Sequence, residues 1–245
     1  SRRQRQMCIR DRMKLLMHTC CAPCSVYCID SLRKENIEPT VYWYNPNIHP
    51  YMEYKARRDT LKEYTKSINV EAIFEEEYGL DEFCKNVIGD LKNRCQNYCY
   101  KVRLEQTAKF AKEHGFDTIS TTLLVSPYQK HEILKEQGEE IAKKYGLNFL
   151  YRDFRAGFRE GQNKARELGL YMQKYCGCVF SEEMSSLARQ KKDKEIMDRT
   201  NRDTERRIRL SDCISNLDFR PLKRENKEEI DLSLIHISEP TRHLR

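Results

Sequence analysis

Residues 15–25 read LLMHTCCAPCS, and the passage from an apolar run into a cysteine-rich turn decides the fold. Leu15 to Thr19, opening on the apolar Leu15-Leu16-Met17, reads as a first strand. Ala22-Pro23 then turns the chain, because a residue preceding proline is pushed out of the helical region and proline itself suits the first helical position. A helix is expected from about Ser25 to Lys34, with Cys24 in or beside its first turn, where the helix dipole lowers a thiol's pKa. Adjacent strand residues face opposite ways, so Cys20 and Cys21 serve one centre only if the backbone turns there, as Ala22-Pro23 makes it do.

Outward from that stretch, apolar runs alternate with amphipathic segments. Strands are expected at Thr40 to Tyr44, Val70 to Phe74, Asp117 to Val125 and Asn148 to Phe154. Helices are expected at Tyr51 to Ser67, Leu80 to Gly115 with a break near Gly89, Lys130 to Tyr145 with a stop at Gly146, and Glu160 to Glu167. The pattern implies an α/β, Rossmann-like fold with a mainly parallel sheet flanked by helices. In such sheets the ligand crevice lies beyond the carboxyl ends of the strands. The unusual residues fall there: Cys20/Cys21, Asn45 to Pro50, Ser126 to His131 and Asp153 to Arg155.

The net charge of +7 is concentrated at the ends. Residues 1–12 carry +4 and residues 232–245 carry +1, leaving +2 for 13–231, a weak basic bias that permits an RNA partner without requiring one. Met13 reads as a natural start and both flanks as foreign sequence, so Cys8 is set aside. Four segments are expected: a basic leader at 1–12, a catalytic α/β domain at 13–187, a charged helical or disordered tail at 188–231 and a non-native tail at 232–245. Mean hydropathy is −0.83 and no apolar run reaches spanning length, so a soluble, cytoplasmic protein without a membrane partner is expected.

Eleven cysteines, an odd number, in a chain of 245 residues without a secretory signal point to metal or redox use rather than a disulfide frame. Cys28 and Cys84 read as core. Cys95 and Cys99 lie four apart on a helix and share a face, where Arg94, Lys101 and Arg103 favour thiolates. Cys176-Gly177-Cys178 is too tight for easy chelation of one iron but suits a strained, reducible disulfide. Four thiolates from two distant pairs suit an iron–sulfur cluster or a structural zinc, and a dithiol nearby favours electron transfer. Tyr51, Tyr54, Tyr100 and Tyr128, with Arg103 and Lys130, are candidates to stack on and grip an unstacked base. His49 and His131 read as loop hydrogen-bonding residues.

HTCCAPCS, YNPNIHPYMEYKAR, RCQNYCYKVRL, STTLLVSPYQKHEI, DFRAGF and GLYMQKYCGCVFSE, in that order, together resemble the cobalamin-independent epoxyqueuosine reductases, the QueH family. The resemblance runs from about Met13 to Glu183. It implies an adenine nucleotide α-hydrolase-like fold and reduction of epoxyqueuosine to queuosine at the wobble position of tRNA with a G-U-N anticodon. It also implies a [4Fe-4S] cluster on Cys20, Cys21, Cys95 and Cys99, and a redox-active disulfide between Cys176 and Cys178. Cys24 and Asp153 are then candidates to hold a second iron ion or deliver a proton, with Asp153 equally readable as a strand-end partner of Arg152 or Arg155. An unidentified electron donor is required. The family pattern has two residues between the second ligand pair, whereas this chain has three, Gln96 to Tyr98. Two alternatives come from other classes: a thiol–disulfide oxidoreductase using Cys21-Ala22-Pro23-Cys24, and a zinc-stabilised RNA-binding module.

Overall fold

The computed structural model describes residues 13–215. Both flanks, Cys8 and the end of the charged tail lie outside the described residues. Five strands, β1 (Leu15–His18), β2 (Thr40–Trp43), β3 (Ala72–Phe74), β4 (Thr118–Thr121) and β5 (Asn148–Phe149), form one sheet in the order β3-β2-β1-β4-β5. Every pairing is parallel. All residues of β1, β2 and β4 are buried, as two covered faces require. The order reverses between β1 and β4, and that is the switch point where ligands bind.

Right-handed crossovers put α1 (Ala22–Lys34) and α2 (Tyr51–Ser67) on one face, and α4 (Tyr100–Glu113) and α5 (His131–Tyr145) on the other. Between β3 and α4 lie α3 (Leu80–Val87) and a five-residue π-helix, Cys95–Cys99. The break expected near Gly89 is thus a turn followed by this π-helix. Gly146, at φ +69°, ends α5 in the left-handed conformation and donates its N–H to Ala142 and Lys143 carbonyls.

Several boundaries differ from the sequence reading for local reasons. Helix α1 starts at Ala22 because Cys21 is extended, with φ −173° and ψ 160°, and Pro23 occupies the first turn. The fourth strand ends at Thr121 rather than Val125. The Thr121 hydroxyl accepts the Leu123 N–H and turns 122–125 into a 3₁₀-helix. The fifth strand is only two residues, and past it Tyr151 turns its N–H back to the Phe149 carbonyl.

A buried histidine ties the sheet's carboxyl edge together. His18 meets the Thr121 hydroxyl through Nδ1 at 2.9 Å and Asn45 Oδ1 through Nε2 at 3.2 Å. Burial, with Arg103 nearby, holds the imidazole at about 3, so it is neutral. Its Nε2–H therefore donates to Asn45 Oδ1 and Nδ1 accepts from Thr121, while Asn45 donates to the Thr19 carbonyl at 2.9 Å.

Helix α6 (Phe158–Glu167) packs on α1. Gly157 makes the approach possible, since a Cβ there would lie 2.0 Å from the Tyr27 ring. After α6 the chain runs to α7 (Val179–Ser215). The chain divides into two compact units after Ala188, and side chains 189–211 are exposed. No described helix is long and apolar enough to cross a membrane.

Gly157→Ala is expected to cost about 1–3 kcal/mol through overpacking, lowering the thermal midpoint by several degrees. In a Tyr27→Ala background the same substitution should cost nothing, which a calorimetric double-mutant cycle measures.

Candidate active site

Cys20, Cys21 and Cys24 gather where β1 gives way to α1, with all three sulfurs within 4.8 Å of one another. The extended Cys21 and the immediate start of α1 bring Cys24 back over the strand end. Cys20 and Cys21 sulfurs are 3.7 Å apart. All three residues are at most 7% exposed. The Cys20 thiol lies well below the ordinary range because Cys21 and Cys24 donate to its sulfur; burial opposes the shift and Arg103 assists it. Burial and donation to Cys20 raise Cys21, and donation to Cys20 raises Cys24. Within the triad the neighbouring thiols push Cys20 down and Cys21 and Cys24 up.

From the far side of the switch point, Thr122 in the 3₁₀-turn after β4 accepts the Cys20 N–H at 3.4 Å and donates to its sulfur at 3.8 Å. Gln173 Nε2 donates to the Cys24 sulfur at 3.5 Å.

These groups open into a cavity of about 420 Å³. Cys20 and Cys24 line it with Thr122, Leu123, Ser126, Tyr128 and Gln129 from the β4 side, Phe158 and Gln162 from α6, and Gln173 to Cys176. Cys176, exposed where it lines the cavity, meets Gln129 Nε2 at 3.6 Å.

Arg57 completes the wall. It is 1% exposed and ion-paired to Glu53 at 2.7 Å. Its two terminal nitrogens donate to the Cys176 carbonyl at 3.0 Å and the Tyr175 carbonyl at 2.9 Å. Glu53 also accepts from the Tyr171 hydroxyl. Burial works against the charge, but Cys21, Glu53 and Cys20 raise its pKa. Gly177, at φ +155°, offers its carbonyl to the His49 N–H at 2.7 Å.

Cys95 and Cys99 form a second group. The π-helix closes with the Tyr100 N–H on the Cys95 carbonyl, an i→i+5 bond. This wider turn takes up the third intervening residue and still leaves Cys99 close enough to act on the Cys95 thiol. Cys95 is lowered to about 6, first by donation from Cys99, then by Arg94, Arg103 and Lys130. Lys101, expected to help, is exposed and takes no part; Lys130 acts instead. Cys178 packs with Cys99, Phe83 and Val87, and its sulfur accepts from Arg94 Nε at 3.4 Å.

The structure therefore brings together Cys20, Cys21 and Cys24, with Cys176 on the same cavity. It places Cys95, Cys99 and Cys178 in a neighbouring group. Arg103 acts electrostatically on Cys20, Cys95, Cys99 and Cys176 alike. Asp153 is not brought in: it does not line the cavity, and Arg155 holds its carboxyl at about 2, so it carries no proton to deliver at neutral pH. Tyr54 and Tyr100 are buried, Tyr54 against Trp43 and Tyr100 on Gln129, and Arg103 is 3% exposed, so none of them reaches a base. Among the four tyrosines only Tyr128 lines the cavity. His131, the first residue of α5, bonds the Ser126 carbonyl at 3.0 Å. The His49 ring instead sits between Tyr78 and Phe83, held at about 4 by burial. Sequence reasoning missed Arg57, Thr122 and Gln173. A signal existed for Arg57: Glu53 and Arg57 are spaced i,i+4 on the same helix face as Leu61 and Tyr64.

Three converging thiols, one with its pKa pushed down by its neighbours and none replaced by a carboxylate, suit a soft metal centre. A parallel α/β sheet that presents three converging cysteines to an open cavity at its switch point defines a Rossmann-like protein with a candidate metal site. The chain belongs to the epoxyqueuosine reductase QueH family, whose sequence model matches residues 15–184. It is 40% identical to epoxyqueuosine reductase QueH of Dehalococcoides mccartyi, over 69% of this chain and 92% of that one. It is 35% identical to the Thermotoga maritima protein of the same name, over 74% and 95%, and 33% identical to that of Streptococcus pyogenes, over 72% and 73%. The U34-tRNA thiolase NcsA from Methanococcus maripaludis, solved with its [4Fe-4S] cluster, is similar at TM-score 0.48 and 16% identity, over 72% of this chain and 65% of that one. That likeness is too loose to carry an argument.

Two outcomes test the site. In protein stripped of metal, alkylation of Cys95 should rise with a midpoint near pH 6, against roughly 8.5 for an ordinary thiol. Cys99→Ala should move that midpoint upward more than Arg94→Gln does. Arg57→Leu leaves Glu53 charged and buried, so it should cost about 3–5 kcal/mol in urea unfolding and speed amide exchange across residues 171–178.

Proposed function

We propose that this chain reduces epoxyqueuosine to queuosine at the wobble position of tRNA with a G-U-N anticodon, the last step of queuosine biosynthesis. The observation that carries this reading is a buried triad of converging cysteines on a cavity that Cys176 also lines. Cys20, Cys21, Cys95 and Cys99 would hold a [4Fe-4S] cluster, with Cys24 available to a second iron ion. A cluster so bound supplies electrons and an iron Lewis acid for the epoxide oxygen.

The remaining roles belong to the protein. Arg57 and Arg103 offset the negative charge that several thiolates concentrate in a buried site. Gln173 and Thr122 orient Cys24 and Cys20. The balance is two electrons and two protons in, alkene and water out. Oxidation of the Cys176 and Cys178 thiols to a disulfide releases two electrons and two protons, and an external reductant restores the dithiol. Cys176 faces the cavity while Cys178 sits beside Cys99, so the pair spans the two cysteine groups.

Anaerobically purified protein is expected to be brown, with about four iron and four sulfide per chain, and to convert epoxyqueuosine-bearing tRNA when supplied with a reductant. Zinc without sulfide, or no conversion, overturns the reading. Cys176→Ser should keep a single turnover and lose multiple turnover; full multiple turnover in that variant removes the relay.

A further inference from the structure

The geometry points to Tyr128 as the residue that recognises the nucleobase: its phenol ring is the stacking platform for a wobble base drawn out of the anticodon loop. The inference rests on the tRNA substrate proposed above and adds a specificity-determining residue to it.

Tyr128 is 84% exposed, directly after a turn, Thr122 to Val125, whose side chains are all buried. Its exposure is not that of a loose loop tip. The Tyr128 N–H is held by the Ser126 hydroxyl at 3.3 Å, and the Ser126 carbonyl takes the Gln129 N–H at 3.3 Å and His131 Nε2 at 3.0 Å. Its ring meets Phe158 in a T-shaped contact, with centroids 6.1 Å apart and planes at 84°. That contact takes up one side of the ring while most of its surface stays open. Phe158 is itself set in place by the close packing of α6 on Tyr27. The result is a solvent-facing aromatic plane on the wall of the cavity that holds Cys20 and Cys24.

The cavity, at about 420 Å³, lies in the range of small-molecule sites and admits one extruded nucleoside rather than a paired stem. Proteins that take a base out of a single strand stack it on such an aromatic face. A base stacked on Tyr128 places its substituent toward the buried sulfurs, because the cavity runs from exposed Tyr128 to Cys20 and Cys24, each 7% exposed.

The test is a binding cycle with holoenzyme. Anticodon stem–loop RNA carries either the epoxyqueuosine nucleoside or an abasic sugar at the wobble position, and each is titrated against wild type, Tyr128→Ala and Tyr128→Phe. Tyr128→Ala should weaken binding of the intact RNA about tenfold and leave the abasic RNA unchanged, while Tyr128→Phe stays within about twofold of wild type on both. Equal loss on both RNAs, or no loss on the intact one, overturns the stacking role. Wild-type reduction of the intact RNA, measured on the same preparation, tests the function separately. Conversion together with unchanged Tyr128→Ala affinity removes Tyr128 alone, whereas no conversion removes the proposed reaction.

Discussion

The buried guanidinium of Arg57 is the interaction on which the site's assembly depends. Removing a cation from water is costly unless partners surround it. Glu53, the Tyr175 carbonyl and the Cys176 carbonyl do so here. Those partners come from residues more than a hundred positions apart, so solvating one charge forces the segment carrying Cys176 and Cys178 onto α2 and the cavity. The Tyr171 hydroxyl on Glu53 and the His49 N–H on the Gly177 carbonyl reinforce the same docking. The arginine also faces Cys20 and Cys21 electrostatically. One side chain thus closes the cavity wall and prepares it for negative charge.

Arg103 does the complementary work on the other side. It grips the Cys99 carbonyl at 2.7 Å and acts on thiols of both cysteine groups. In each group neighbouring thiols and Arg103 lower one cysteine: Cys20 beside Cys21 and Cys24, Cys95 beside Cys99. Concentrating anionic sulfur in a buried place is tolerable only because these cations are fixed before any ligand arrives.

Much of the fold was legible because it rests on local rules. Short runs of apolar and β-branched residues marked β1, β2 and β4, Pro23 marked the start of α1, and Gly146 marked the end of α5. What misled was local hydrogen bonding that periodicity does not register. Thr121 caps a 3₁₀-turn inside an apolar run, and the Cys95–Cys99 segment widens into a π-helix. In the site, the three cysteine pairs and the ends of β1 and β4 could be named in advance. Asp153 could not be assigned, because its neighbour Arg155 captures it outside the cavity. Tyr54 and Tyr100 could not be told from Tyr128, since all three are aromatic residues in polar surroundings and only packing decides which ring stays open.

By itself, then, the sequence determined the alternation of strands and helices, the parallel sheet and the stock of thiols placed after strand ends. These follow from backbone geometry and side-chain polarity within a few residues. The tertiary structure alone decided that Cys24 joins Cys20 and Cys21, that Cys178 keeps company with Cys99, and that Arg57 and Arg103 supply the compensating charge. Those outcomes turn on distances between segments far apart in the chain, which burial and charge pairing set only when the whole chain packs.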